Sequence, residues 1–77
     1  MEIFLRVEGH IREFFPHLQD PVRITLPQPV TVRAILQKAG VPPELPGAVI
    51  CRRQRVDLSY VPADGDDLVL LSPLAGG

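Results

Sequence analysis

The sequence predicts a small α+β domain, in which a mixed sheet of four or five strands packs on one main helix. Four segments either alternate between apolar and polar residues or form short apolar runs, as strands do. Residues 31–39 instead carry apolar residues at helical spacing. A chain of 77 residues that is 45% apolar has the size and composition of one domain with a single small core.

The first two strands are predicted by their period-two alternation. Residues 1–8 and 22–26 alternate, and Gly9 and Pro27 end the two runs. The inward set of the first strand is apolar: Ile3, Leu5 and Val7. Residues 11–15 are expected to form a short helical turn within the long connection between these two strands.

The helix is predicted from its boundaries as well as its spacing. Thr31 is a typical N-cap residue, and Gly40 stands where a helix ends, before the pair Pro42-Pro43. Lys38 in the last turn suits the helix dipole. The apolar face consists of Val32, Ile35, Leu36 and Ala39.

Three further segments complete the sheet. Residues 48–53 are expected to form a strand, and residues 56–61 a short strand or a connector. A turn over residues 63–66 contains Gly65, which can adopt a positive φ. The final strand, residues 66–71, would direct Leu68 and Leu70 at the helix. The resulting order, β-β-α-β-(β)-β, is that of a β-grasp.

Composition excludes several classes of function. A net charge of −1 argues against nucleic-acid binding driven by bulk charge. The chain has no basic and apolar leader and no apolar stretch of about 18 residues, so we expect neither a signal peptide nor a membrane helix, and a cytoplasmic location. The single cysteine, Cys51, lies in an apolar run and is expected to be a buried hydrophobe. We expect no metal site at His10 or His17.

The chain ends in Gly76-Gly77, directly after the predicted final strand. A glycine pair there neither turns the chain nor caps a helix, but it keeps the backbone slim enough for a narrow channel. We therefore divide the chain into a body, residues 1–71, and a flexible tail, residues 72–77. The reacting group would be the α-carboxylate of Gly77, an anion at neutral pH.

The segment from Asp64 to Gly77, with its Asp-Gly-Asp turn, apolar strand, Pro73 and terminal glycine pair, resembles the C-terminal signature of the MoaD/ThiS family of ubiquitin-like sulfur carriers. Arg12-Glu13-Phe14 resembles an Arg-Glu-Leu element common in the small subunit of molybdopterin synthase. The resemblance covers the whole chain and is closest to that small subunit.

This resemblance implies a carrier without a cofactor and without catalytic machinery of its own. A partner of the ubiquitin-activating type would bind ATP and adenylate Gly77, and sulfur from a persulfide would then give a terminal thiocarboxylate. The chain itself has no phosphate-binding glycine-rich loop. The large subunit of molybdopterin synthase would take the tail and pass sulfur to a pterin.

A partner surface is predicted on the outward face of the sheet, beside the tail. If the first and final strands pair, an apolar patch forms there: Phe4, Val69, Leu71 and Leu74. The alternative is that loop residues 10–20 cover this face. Arg52, Arg53 and Arg55 form a basic cluster that is either a solvated strand end or a steering surface for an acidic partner.

Three functions remain open at this point. The first is sulfur transfer for molybdopterin. The second is sulfur transfer for the thiamine thiazole, a tungsten-type cofactor or another metabolite. The third is a ubiquitin-like modifier or binding module, in which Gly76-Gly77 would be joined to lysines.

Overall fold

The computed structural model describes residues 1–18 and 21–73. They form a five-stranded sheet in the order β2-β1-β5-β3-β4, in which β1 and β5 are parallel and the other pairs antiparallel. The strands are β1 (Glu2–Glu8), β2 (Val22–Thr25), β3 (Ala48–Cys51), β4 (Gln54–Val56) and β5 (Asp67–Leu71). The predicted α+β class and β-grasp order are therefore confirmed.

One α-helix, α1 (Val32–Lys38), and two short 3₁₀ helices, His10–Phe14 and Pro16–Leu18, accompany the sheet within the described ranges. None of these helices has the length and apolar character needed to cross a bilayer. The first 3₁₀ helix corresponds to the helical turn predicted after β1.

The core lies on one face of the sheet, where alternate residues of the strands meet α1. Ile3 and Leu5 of β1, Leu68 and Leu70 of β5 and Ile35 of α1 are completely buried. These are positions that strand and helix periodicity assign to the interior, so the predicted inward sets are confirmed. Cys51 is also buried, as predicted for an apolar run.

Both ends of α1 are fixed by local hydrogen bonds. Thr31 Oγ1 accepts from the amide of Ala34 at 3.3 Å, which confirms the predicted N-cap. At the other end Gly40 has φ +81°, and the amide of Val41 donates to the carbonyl of Leu36 at 2.9 Å. This is a Schellman ending, and it explains why a glycine follows the helix.

The prediction for the third strand was wrong at its end. β3 stops at Cys51, and Arg52 and Arg53 form a two-residue hairpin loop with φ +54° and +67°; β4 then begins at Gln54. Such tight hairpin loops need positive φ at both positions, where glycine or asparagine is usual. A pair of arginines is not a sequence signal for a turn. The predicted third strand therefore continued to residue 53, and the segment after it was predicted to begin at residue 56, whereas β4 begins at Gln54.

We expect Arg53→Gly to raise the free energy of unfolding by ~0.5–1 kcal/mol. Glycine adopts a positive φ without the steric penalty that arginine has, but it also increases the conformational entropy of the unfolded chain, which offsets part of this stabilisation. For a domain of this size the thermal midpoint should rise by roughly 3–6 °C, measured by circular dichroism. Gly40→Ala is the reverse control, because Gly40 also has a positive φ and open space around it. Unchanged midpoints in both variants would contradict this explanation.

Candidate functional site

The predicted reactive tail leaves the body from the centre of the sheet. β5 lies between β1 and β3, with Glu8 opposite Leu71 on one side and Ala48 opposite Leu71 on the other. The chain therefore emerges at the edge where β1 also ends. Residues 74–77 lie outside the described part of the chain, so the reacting group at Gly77 stays a prediction.

Ser72 is the first residue after β5, and it is bonded to the end of β1. Its amide donates to the carbonyl of Glu8 at 3.2 Å, and its hydroxyl donates to the same oxygen at 3.1 Å. The hydroxyl also accepts from the amide of Ile11 at 2.9 Å. The base of the tail is thus bonded both to β1 and to the 3₁₀ helix that follows it.

Two glycines lie against Ser72 and Pro73, the base of the tail, and a side chain at either glycine would occupy the same space. A Cβ at Gly9 would collide with the side chain of Ser72, and Gly9 also has φ +87°. A Cβ at Gly47 would stand 2.7 Å from Cα of Pro73, and the amide of Gly47 donates to the carbonyl of Leu71 at 2.8 Å. Contacts of that length are closer than side-chain carbons tolerate, so both positions need glycine for the chain to pass.

At the other end of β5, the Asp-Gly-Asp motif fixes the start of the strand to the start of β1. Asp64 Oδ1 accepts from the amide of Glu2 at 2.6 Å, and the amide of Gly65 donates to the carbonyl of Glu2 at 2.7 Å. Gly65 has φ +85°, as the predicted turn requires. The interpretation of residues 63–66 as a turn is therefore correct, and both ends of β5 are bonded to β1.

The outward face of the sheet carries a partly exposed apolar strip. Val69 lies between Arg6 of β1 and Ile50 of β3, and Leu71 lies between Glu8 and Ala48. Ile50 and Ala48 were not predicted, because the third strand was described only as an apolar run and no outward set was assigned to it. We define the outer strip by its apolar members: Ala48, Ile50, Val69 and Leu71.

Phe4 lies on the same face, opposite Asp67 on β5 and Arg23 on β2. Together with Val69 it lines a pocket of about 180 Å³. Because small-molecule sites generally measure roughly 300 Å³ or more, this pocket suits a protruding side chain better than a metabolite. Phe4, Val69 and Leu71 therefore share the face predicted for them, whereas Leu74 lies outside the described residues.

The described part of loop 10–20 packs on the helix side of the sheet. Ile11, Phe15 and Leu18 belong to the same core as the residues of α1. These three apolar side chains of the described loop residues thus help to build the core, whereas Phe14 is 73% exposed. This observation weighs against the alternative that the loop covers the outer strip.

Three solved structures share this architecture over nearly the whole chain. They are SAMP1 from Haloferax volcanii (TM-score 0.75, 21% identity, 100% of each chain) and Urm1 from Trypanosoma brucei (0.71, 19%, 99% of this chain and 95% of that one). The third is in a complex of subunits 1 and 2 of molybdopterin-converting factor from Helicobacter pylori (0.62, 28%, 100% of each chain). The chain is a ubiquitin-like β-grasp domain.

The β-grasp domain matches no protein-family model and no curated protein. The predicted resemblance to the MoaD/ThiS carriers is nevertheless confirmed in the fold, since a molybdopterin-converting factor subunit, Urm1 and SAMP1 are among its structural neighbours.

A buried carboxylate explains part of the basic cluster on the β-grasp domain. Asp66, only 7% exposed, accepts from Arg52 Nε at 2.9 Å, from the amide of Ala63 at 2.8 Å and from Cys51 Sγ at 3.4 Å. Burial alone would raise the pKa of Asp66, but the Ala63 amide and Arg52 outweigh it and hold the pKa below its usual range. Arg52 therefore has a structural role at the hairpin.

The same network keeps Cys51 as a thiol. Burial raises the pKa of Cys51, and the neighbouring Asp66 carboxylate raises it further. Because the thiolate is the nucleophilic and metal-binding form, a raised pKa makes Cys51 a poor reactive group. Among the described residues no three His, Cys, Asp or Glu side chains come together where they could hold a metal ion.

Sequence reasoning missed the residues that shape the base of the tail. Gly9 was seen only as the end of a strand, and Gly47 only as part of a loop. Ser72 was assigned to the flexible tail. The available signal was weak: a serine directly after the strand, and glycines next to two other strands.

Proposed function

We propose that the β-grasp domain is a sulfur carrier whose reacting group is the α-carboxylate of Gly77. The observation that supports this proposal most directly is the course of β5. This central strand is followed by Ser72, which is hydrogen-bonded to β1, then by Pro73, and the sequence ends in Gly76-Gly77. The body then serves as a rigid holder, and the chemistry takes place in a partner's active site.

The reaction begins with activation of the carboxylate. An anion at neutral pH is a poor electrophile, so an oxygen of Gly77 attacks the α-phosphorus of ATP and pyrophosphate leaves. The sulfur of a persulfide then attacks the carbonyl carbon of the acyl adenylate, and AMP leaves. A second thiol cleaves the resulting acyl disulfide, which releases the thiocarboxylate and leaves a disulfide on the sulfur donor.

The proposed partners follow from this sequence of steps. A ubiquitin-activating-type adenylyltransferase in the cytoplasm binds the ATP. The proposed acceptor is a pterin precursor of molybdopterin, held by the large subunit of molybdopterin synthase. The Arg12-Glu13-Phe14 element and the likeness to a molybdopterin-converting factor subunit support this branch over the thiazole branch.

Intact-mass measurement of the protein isolated from its native cells tests the proposal. We expect a population whose mass has increased by the difference between sulfur and oxygen, and which returns to the unmodified mass on hydrolysis. Peptide mapping should place the change on Gly77. Isopeptide-linked adducts on other proteins would instead support a modifier, and an unchanged mass with partner binding independent of Gly76-Gly77 would support a binding module.

A further inference from the structure

The hydroxyl of Ser72 makes one hydrogen bond that its backbone cannot replace. It accepts from the amide of Ile11, a buried residue in the first turn of a 3₁₀ helix, where amides have no partner within the helix. It also donates to the carbonyl of Glu8, the last residue of β1. An alanine at this position would lose both hydroxyl bonds; the backbone amide of residue 72 would still donate to the Glu8 carbonyl, but the Ile11 amide would lose its acceptor.

We propose that Ser72 is a positioning residue that fixes the origin and the direction of the reactive tail. The inference deepens the proposed carrier function and rests on it. The hydrogen-bonded body then extends to Ser72, one residue past the end of β5. The space for the hydroxyl is preserved by Gly9, whose Cβ would collide with it.

The residue that follows strengthens this role. Proline has a fixed φ, and its ring restricts the preceding residue to extended conformations. The hydroxyl bonds and Pro73 therefore define the path of two successive residues. The five residues from Pro73 to Gly77 span at most ~18 Å, so fixing Ser72 limits the carboxylate to a smaller region than an unbonded Ser72 would allow.

A narrower region raises the concentration of the carboxylate at the partner's active site once the body has docked. Docking of the body is predicted to use the outer strip, whose side chains a change at Ser72 leaves in place. Loss of the hydroxyl should thus lower the rate of the activation step and leave binding of the carrier unchanged. This separation distinguishes a positioning role from a contribution to stability.

Ser72→Ala tests the inference, with Ser72→Thr as the variant that retains a hydroxyl. Ser59→Ala is the matched control, because the Ser59 hydroxyl is exposed and donates to the nearby Asp57. For Ser72→Ala we expect the kcat of ATP-dependent activation to fall about fivefold, the value of one neutral hydrogen bond, with KM unchanged. Ser72→Thr should recover most of this loss, and Ser59→Ala should behave as the unaltered protein.

Two measurements on the free carrier need no enzyme. Amide exchange at Ile11 should accelerate in Ser72→Ala alone, and ¹⁵N relaxation should show greater motion of Gly76 and Gly77 in that variant. A Ser72→Ala protein with normal relaxation of the tail and normal kcat would overturn the positioning role, as would a loss that Ser72→Thr fails to recover. If even the unaltered protein is not activated, the carrier function fails, while exchange and relaxation still decide the role of Ser72.

Discussion

Gly77→Ala is expected to lower the rate of ATP-dependent activation by about 10²-fold while leaving the free energy of unfolding unchanged. The added methyl group stands next to the reacting carboxylate, and a displacement of about 1 Å at a reacting centre can reduce a rate by that factor. The stability of the body should not change, since Gly77 follows β5 in the sequence and is not among the residues through which β5 pairs with β1 and β3. Pyrophosphate exchange with the activating partner measures the rate.

Two further proteins make this experiment decisive. An extra residue after Gly77 converts the reacting carboxylate to an amide, so activation at Gly77 should be abolished. Ser59→Ala is the control in the body and should be activated at the normal rate. If the extended protein and Gly77→Ala were both activated normally, the terminal carboxylate of Gly77 would not be the reacting group.

Val69→Asp is expected to weaken binding of the activating partner by about 10²-fold. Val69 stands on the central strand of the outer strip, between Arg6 and Ile50. A carboxylate at that point would be transferred from water into an apolar interface without a partner across it, and residues near the centre of an interface generally have the largest effects. The nearby Arg6 should limit the effect on the free carrier. Isothermal titration calorimetry measures the affinity.

Val61→Asp provides the matched comparison, since Val61 is 48% exposed and lies in the connection before the Asp64 turn, outside the strands of the sheet. It should bind the partner with normal affinity. Thermal midpoints of both variants show whether the fold is retained. Equal affinities for Val69→Asp and Val61→Asp would place the partner on another surface, and the exposed Phe14 would be the next residue to test.

Much of the fold could be predicted because its signals are local. The alternation of β1, the spacing of α1 and the Thr31 and Gly40 boundaries each reside within a few neighbouring residues, and all were confirmed. The β3–β4 hairpin was mispredicted because its turn is built from Arg52 and Arg53, which adopt a conformation that their residue type does not favour.

The candidate site likewise has one part that the sequence predicts and another that it does not. The terminal glycine pair is visible in the sequence as a motif, but the residues that hold its base are distant along the chain. Gly9, Gly47 and Ser72 come together only because β1, β3 and β5 are neighbours in the sheet. Their roles depend on contacts across strands, and a single sequence does not contain that pairing.

The parallel pairing of β1 with β5 has a consequence for how the protein is made. During translation β1 is synthesised before β5, the central strand with which it pairs. A nascent chain on the ribosome that does not yet include residues 67–71 therefore cannot assemble the complete sheet. Folding must therefore wait until β5 has left the exit tunnel. A chain that stops before β5 lacks the folded sheet and, under the proposed function, also the reacting end, so we expect that an incomplete product does not compete for the activating partner.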